Sequence, residues 1–210
     1  MKILVSGGSG FLGASLIPQL VRDGHQIPAL ARSPASDARV RALGAEPVGG
    51  DVEQSLALPP LDAVVHAAAH FRFAGPRAAY FRTNVDGTRA LLQAAAEAGA
   101  ARFVYISAAA VIMDGAGSPI RNAGEGAPTF PSSFSAYIAS KAQGESAVLA
   151  ADRPGFRTIA QRPPDPPLSR TMVRLIGREF TTSAAAARRE LGYAPRITRS
   201  EGLAGYRPSP

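Results

Sequence analysis

Short apolar segments alternate with longer stretches of helical periodicity over most of the chain. Six apolar segments are predicted to be strands: Lys2–Ser6, Gln26–Ala31, Glu46–Val48, Ala63–His66, Arg102–Ser107 and Phe156–Ala160. Helical patterns span Leu12–Asp23, Pro76–Ala98 and Phe134–Ala151, and Gly99 follows the second of these as a plausible C-cap. Because strands that alternate with helices are typical of βαβ units, the sequence predicts a doubly wound parallel α/β sheet with the strand order 3-2-1-4-5-6.

Two segments interrupt this alternation. Residues 114–135 are rich in Gly, Pro and Ser and follow a predicted strand, which is where open α/β sheets bind ligands, so they are a candidate wall of a site. The run Pro163–Pro167 excludes a helix or a central strand. It is the predicted boundary between a first domain (1–164) and a C-terminal segment (165–210), which contains one predicted helix, Ser183–Leu191, and too little apolar material to fold alone.

Composition narrows the class of protein. The 210 residues are 46% hydrophobic and 19% charged, which is typical of a globular protein. No apolar run approaches the roughly 20 residues of a membrane span, and the N-terminus lacks the layout of a signal peptide, so we expect a cytoplasmic protein. The absence of cysteine excludes disulfides and thiolate chemistry. The net charge of +7 comes from scattered arginines, which favours an anionic small ligand over nucleic acid, a weaker alternative.

The segment Gly7–Gly13 directly follows the first predicted strand and opens a helical pattern. A turn this tight needs residues without a Cβ, and Gly7, Gly10 and Gly13 supply them. Because backbone amides at the positive end of a helix bind diphosphates, the order of strand, turn and helix predicts a dinucleotide site. The alternative is a tight turn with a structural role only.

The residues after the second and third strands bear on the kind of dinucleotide. A cofactor with a free ribose 2′-hydroxyl calls for Asp or Glu at the end of the second strand, but this chain has Arg32-Ser33. A guanidinium can bind a 2′-phosphate bidentately, so NADP(H) is favoured over NAD(H), with an exposed strand-end arginine as the alternative. Asp51-Val52 lies where a carboxylate can accept from the adenine amino group or, equally, cap a loop.

Tyr137 and Lys141 stand four residues apart on a predicted helix and therefore share one face. A neighbouring ammonium favours the phenolate and so lowers the pKa of the phenol from about 10, which makes a tyrosine a workable proton donor and acceptor near neutrality. The pair predicts a catalytic acid with its tuning group, and the lysine can also bind a nicotinamide ribose.

Together these motifs resemble the extended short-chain dehydrogenase/reductase family, which includes epimerases, dehydratases and hydroxysteroid-type dehydrogenases. The resemblance covers residues 1–164 and extends to Val64–Ala68, Asn84–Thr88, Phe103–Ser107, Arg162-Pro163 and a closing segment, Ala187–Pro195. It implies a Rossmann fold and an NAD(P)-dependent oxidoreductase or epimerase-type enzyme that acts on a sugar nucleotide, a sterol-like ketone, a flavonoid-like ketone or a similar small molecule. It also implies a possible homodimer, paired through the helices that contain Asn84 and Tyr137.

The resemblance assigns roles to individual residues. Tyr137 relays the proton, Lys141 tunes it, and Ser107 is a candidate third catalytic residue. The residues expected to contact the cofactor are Gly7, Gly10, Phe11, Leu12, Gly13, Arg32, Asp51, Val52, Ala67, Ala68, Ala69, Tyr137, Lys141 and Pro164.

The chain departs from the family pattern in two places. Ala108 stands where the family has a catalytic Ser or Thr, and the neighbouring Ser107 replaces it only if the strand has ended or bulged. Loss of one such hydrogen bond lowers a rate by about 10- to 1000-fold. Several dozen residues of the usual substrate lobe are also missing after Pro163. These departures leave open a dinucleotide-binding module without turnover, either degenerate or redox-sensing.

His66 and His70 have the i, i+4 spacing of a zinc pair. His66 ends an apolar strand and no acidic residue lies between the two histidines, so we expect packing or loop contacts rather than a metal site.

Overall fold

A parallel sheet with helices on both faces forms the centre of the molecule. The computed structural model describes residues 1–72, 75–114, 116, 118–162, 180–182 and 188–189. In chain order the elements are β1 (Ile3–Ser6), α1 (Phe11–Arg22), β2 (Pro28–Ala31), α2 (Pro34–Ala42), β3 (Glu46–Gly49), β4 (Ala63–His66), α3 (Arg77–Phe81), a π-helical turn (Arg82–Asp86), α4 (Gly87–Glu97), β5 (Arg102–Ile106), a 3₁₀ turn (Ala109–Ile112), β6 (Ile120–Ala123), α5 (Ala136–Ala150), β7 (Arg157–Gln161) and β8 (Phe180–Thr182).

The main sheet has the order β3-β2-β1-β4-β5-β7, and all of its pairings are parallel. The predicted strand order is therefore confirmed, with β7 as the sixth strand. Since the strands are parallel, all of their carboxyl ends meet at one edge of the sheet.

Alternate residues of the central strands pack into two different hydrophobic clusters. Leu4 of β1 packs with Val64, Phe103 and Leu91, whereas Ile3 and Val5 pack with Ile17 and Val40. Because successive side chains of a strand point to opposite faces, these clusters cover the two faces of the sheet. Burial on both faces explains why the strands are continuous apolar runs in the sequence.

The predicted helix over Pro76–Ala98 is interrupted in the structure. The chain forms α3, then the π-helical turn, then α4, and Gly99 follows with φ +79°, as a C-cap glycine does. A π turn inserts one extra residue into a helix, and hydrophobic periodicity alone does not reveal it.

Three elements, α2, β6 and β8, have no counterpart among the predicted helices and strands. Helix α2 begins at the N-cap Ser33, whose hydroxyl accepts from the Ser36 amide, with Pro34 in the first turn. Strand β6 lies within residues 114–135, where no periodicity was visible, and pairs in parallel with β8. Most residues of β6 are exposed or half-buried, so the strand lacks the alternation that reveals a half-buried strand.

The C-terminal predictions fall mainly outside the described residues. These are the boundary at Pro163–Pro167, the cofactor contact at Pro164, the closing segment Ala187–Pro195 and the helix over Ser183–Leu191, of which only residues 188–189 are described, as helical. Within the described part of the chain, no helix combines the length and apolarity needed to cross a membrane.

Candidate active site

The turn between β1 and α1 is shaped by glycines. Gly7 has φ +72°, and a Cβ there would lie 2.6 Å from the Ala68 nitrogen. A Cβ on Gly13 would collide with the Gly8 carbonyl oxygen. Gly10 is the N-cap of α1, no side chain caps this end of the helix, and its first turn holds no acidic residue. The turn therefore presents the positive end of a twelve-residue helix in a cradle that side chains would fill, which fits a bound diphosphate.

The predicted alanines lie beside this turn. Ala67 donates its amide to the Ser6 carbonyl at 3.1 Å, and the Ala68 amide donates to the Ser6 hydroxyl at 3.3 Å. The chain leaving β4 is thereby held against the chain leaving β1, and Ala69 continues the same segment. Phe11 and Leu12 are exposed at the start of α1.

Arg32 and Asp51 meet at the next two strand ends. Their side chains approach to 3.5 Å between Nη1 and Oδ2, and the Arg32 side chain is 72% exposed. Asp51 also accepts from the Glu53 amide at 3.1 Å, so it caps its own loop. Val52, the next residue, is buried. The structure thus brings Arg32 to the site edge with most of its guanidinium available to a ligand.

Helix α5 carries Tyr137 and Lys141 to the carboxyl end of β5. The hydroxyl of Ser135 caps the helix by accepting from the Ile138 amide. Tyr137 packs edge to face against Phe71, with ring centroids 4.8 Å apart. Lys141 is buried, donates from Nζ to the Ile106 carbonyl at 2.7 Å, and lies 4.0 Å from the Tyr105 ring centroid. Burial lowers the pKa of Lys141 to about 7, although the nearby Glu145 carboxylate acts in the opposite direction.

Ser107 lies just beyond β5, which ends at Ile106. Its hydroxyl donates to Glu145 at 2.6 Å, and both Ser107 and Ala108 are buried. The strand has ended, as a substitute for the missing hydroxyl at Ala108 requires, but the Ser107 hydrogen is committed to Glu145.

Glu145 is a site residue that sequence reasoning missed. Its carboxylate also accepts from Arg162 Nε at 3.0 Å, so it ties the ends of β5 and β7 to α5. Glu145 lies four residues after Lys141 and hence on the same helix face, which is a signal that the sequence contains.

His66 and His70, the pair with zinc-site spacing, lie in different environments. Both ring nitrogens of His66 are hydrogen-bonded, to Ser6 and Thr88, and His70 stacks edge to face on Tyr80 at 4.7 Å. Among the described residues, no cluster of three His, Asp or Glu side chains is arranged to bind a metal ion.

A family profile and several curated proteins match most of this chain. The profile of the NAD-dependent epimerase/dehydratase family matches residues 3–170. A 4-hydroxy-2-methyl-3-oxo-4-farnesyl-3,4-dihydroquinoline-1-oxide ketoreductase from Stigmatella aurantiaca is 40% identical over 78% of this chain and 49% of its own length. A 2-alkyl-3-oxoalkanoate reductase from Stenotrophomonas maltophilia is 36% identical over 78% of this chain and 50% of its own length. The chain thus spans about half the length of these curated relatives.

Solved structures share the fold. A short-chain dehydrogenase/reductase superfamily protein from Agrobacterium tumefaciens, with bound NAD, is 31% identical, with a TM-score of 0.65 over 77% of this chain and 48% of that one. The family match covers well over half of the sequence. The chain belongs to the NAD-dependent epimerase/dehydratase family.

Proposed function

We propose that this chain is an NADP(H)-preferring reductase of an apolar ketone. The observation that carries this function is the meeting of two motifs at one edge of the sheet. The glycine turn follows β1, and Lys141 of α5 binds the main chain at the end of β5. A dinucleotide held at the first motif can extend its nicotinamide toward the second.

The described residues of the turn would hold the cofactor. The amides at the start of α1 would bind the diphosphate, with Gly7 and Gly13 keeping the space clear. Asp51 and Val52 would border the adenine, and Ala67–Ala69 would line the path between the two motifs. The cofactor supplies the hydride, while the protein supplies its position and the proton.

Tyr137 would donate the proton to the carbonyl oxygen as hydride reaches the carbon. Lys141 lies one helical turn away, and its protonated form favours the phenolate that the transfer leaves behind. The pKa of about 7 for Lys141 supports a group that changes charge near neutrality. Ser107 would contribute only by accepting a hydrogen bond, because its own hydrogen is donated to Glu145.

Arg32 supports the preference for NADP(H). It immediately precedes Ser33, the N-cap of α2, so a 2′-phosphate at this position would meet both a guanidinium and a helix N-terminus. Asp51 approaches only one nitrogen of the guanidinium, at 3.5 Å. The remaining donors would be free to bind the phosphate.

An apolar substrate is supported by the side chains around Tyr137. Phe71, which packs on the Tyr137 ring, is half-exposed, and Phe134, just before α5, is 73% exposed. Arg77 donates to the Phe134 carbonyl at 3.3 Å and so ties this residue to α3. The names of the two reductases describe substrates with a 3-oxo group and a farnesyl or alkyl substituent. Substituents of this kind would fit a site lined by Phe71 and Phe134.

The decisive experiment is NADPH oxidation, followed at 340 nm, with 2-alkyl-3-oxo esters and bulky cyclic ketones. Wild-type protein should turn over at least one of them, and Tyr137→Phe should lower kcat by about 100-fold or more, because proton transfer by a positioned side chain contributes that much. The variant should keep its dissociation constant for NADPH within about twofold, measured by nucleotide fluorescence. Equal kcat in both proteins would remove Tyr137 from the reaction.

Two further expectations accompany this function. Pairing of two chains through the helices around Asn84 and Tyr137 stays a prediction, as does a cytoplasmic location. Sedimentation velocity at micromolar concentrations would decide the first.

A further inference from the structure

A series of buried polar groups runs from the glycine turn to the main chain of Tyr137, and at Asn84 it passes from the main chain to the side chain of that residue. Its side chains are all at most 1% exposed: Ser6, His66, Thr88, Asn84 and Ser140. The links in order are Ser6 Oγ to His66 Nδ1 (2.6 Å), His66 Nε2 to Thr88 Oγ1 (2.9 Å), Thr88 Oγ1 to the main-chain carbonyl of Asn84 (2.8 Å), Asn84 Nδ2 to Ser140 Oγ (3.0 Å) and Ser140 Oγ to the main-chain carbonyl of Tyr137 (3.0 Å). The Ala68 amide, beside Gly7, donates to Ser6 at the other end. We call these five side chains the polar chain.

The acceptors fix the position of each polar hydrogen on Ser6, His66 and Thr88, the first three members of the polar chain. A carbonyl oxygen only accepts, so Thr88 spends its single hydroxyl hydrogen on Asn84 and must accept from His66. The hydrogen of His66 is therefore on Nε2. In the neutral ring Nδ1 then accepts from the Ser6 hydroxyl, which in turn accepts from the Ala68 amide.

The neutral state of His66 is secured by its surroundings. Complete burial lowers its pKa to about 3, and the charge of Lys141 acts in the same direction. His66 is therefore neutral, with its hydrogen on Nε2 and donated to Thr88, over the pH range in which proteins are normally studied.

The second half of the polar chain reaches α5 through the π-helical turn. Asn84 lies in that turn, and its side-chain oxygen accepts from the His70 main-chain amide at 2.6 Å. The side-chain amide of Asn84 donates to the His70 carbonyl and to the Ser140 hydroxyl. Ser140 spends its hydrogen on the carbonyl of Tyr137. A Cβ on Gly144 of α5 would lie 2.5 Å from the Asn84 carbonyl, so the helix also approaches this turn closely.

We propose that His66 and Thr88 are positioning residues that hold the helix of Tyr137 in register with the dinucleotide turn. They touch neither ligand in this scheme and act through Ser6 and Ala68 on one side and through Asn84 and Ser140 on the other. This role rests on the proposed binding of a dinucleotide. It makes occupancy of the turn and order in α5 interdependent, because a series of buried hydrogen bonds that passes through Asn84 joins them.

Thr88→Val breaks the polar chain with almost no change in volume, and Thr158→Val is its matched control. Thr158 is also buried and donates to a helix carbonyl, that of Val148 in α5, at 2.7 Å, but it lies outside the polar chain. We expect similar losses of melting temperature in the two variants. Thr88→Val alone should lower kcat by about tenfold or more with the dissociation constant for NADPH within about threefold, and Thr88→Ser should recover most of kcat.

Hydrogen exchange measured by mass spectrometry gives a readout that does not need turnover. Binding of NADP should slow exchange of the amides of residues 136–142 in wild type and in Thr158→Val, but not in Thr88→Val. Ser140→Ala removes the last link, to the Tyr137 carbonyl, and should lose the protection as Thr88→Val does. If Thr88→Val does not fold, Ser140→Ala is used in its place.

The outcomes separate the two levels of interpretation. No binding of NADP or NADPH by wild type would overturn the proposed function and this role with it. Binding without slower exchange in α5 of wild type would overturn the positioning role alone. So would a Thr88→Val variant with unchanged protection, or one with a loss of kcat no larger than that of Thr158→Val.

Discussion

Arg32 and Lys141 are two basic residues of the candidate site, and their environments in the fold differ. Arg32 projects from a strand end and is largely exposed, so solvent screens its pairing with Asp51. Lys141 is enclosed by α5 and β5, where the charged form is disfavoured. The exposed charge is available for ligand recognition, and the buried one is suited to proton chemistry.

Arg32→Ala should change cofactor preference more than stability. Removing a charge-assisted contact to a 2′-phosphate should weaken NADP binding by about 10- to 100-fold, because such hydrogen bonds contribute about 1.5–3 kcal/mol. NAD binding should change by less than about threefold. Isothermal titration calorimetry with both dinucleotides checks this, and the exposed Arg39→Ala in α2 is the control of equal charge change. A parallel loss of affinity for both cofactors would contradict the assignment.

Burial of Lys141 should be visible in the pH dependence of stability. Its pKa is about 7 in the folded protein and about 10.5 in the unfolded chain, so between these values the unfolded state binds more protons. Stability should therefore rise with pH from 7 to 10 in wild type relative to Lys141→Met, since each unit of difference corresponds to about 1.4 kcal/mol. Urea unfolding of both proteins at pH 7 and pH 9.5 measures the difference. Parallel pH profiles would mean that Lys141 titrates normally.

At the scale of elements, α5 is joined to two strands through a single carboxylate. Glu145 is 2% exposed and accepts from Ser107 after β5 and from Arg162 after β7. A buried carboxylate that loses its partner retains the cost of desolvation, which makes this junction sensitive to change. The pair between Arg157, the first residue of β7, and Asp152 is more exposed, at 69% and 32% of the two side chains.

Arg162→Met should therefore lower the free energy of unfolding by about 3 kcal/mol, the lower end of the range for breaking a buried pair. Arg157→Met removes an exposed arginine at the other end of β7 and should cost at most about 1 kcal/mol. Urea unfolding of both variants and of wild type measures these two losses of stability. Equal costs would show that Glu145 does not depend on Arg162.

The elements also show which parts of the fold the sequence predicts. Strands buried on both faces, such as β1 and β4, are evident because every residue is apolar or small apart from His66, which ends β4. Helix α2 was not predicted as a separate element, because Val40 is its only buried residue and no apolar stripe marks it. The glycine turn and the Tyr137/Lys141 pair are local motifs and could be predicted. The orientation of Ser107 toward Glu145 could not, since it depends on packing between distant segments.

At the scale of the whole molecule, ligand binding and stability are linked. The candidate site is assembled from segments that follow β1, β2, β3, β4 and β5, so a dinucleotide at the proposed position would contact much of the sheet edge. A ligand that binds only the folded state stabilises it in proportion to the logarithm of its concentration.

NADPH at 100 times its dissociation constant should add about 2.7 kcal/mol to the stability of wild type, which is a rise in melting temperature of roughly 5–10 °C for a chain of this size. Gly13→Ala should abolish this rise, because its Cβ collides with the Gly8 carbonyl in the turn. Gly126→Ala, where an added Cβ meets nothing within 4 Å, should retain it. Differential scanning fluorimetry measures all three proteins, and a rise in Gly13→Ala equal to that of wild type would place the nucleotide elsewhere.

The π-helical turn at Arg82–Asp86 has a consequence for how such chains change over generations. The turn is equivalent to one residue added to a regular helix, so deletion of a single codon within it would leave an unbroken α-helix of good stability. Such a deletion would rotate Asn84 away from Ser140 and His70 while sparing the rest of the core. Loss of the π turn would therefore separate Asn84 from its partners while making the helix more regular, so regularity of the backbone alone would not reveal that these contacts had been lost.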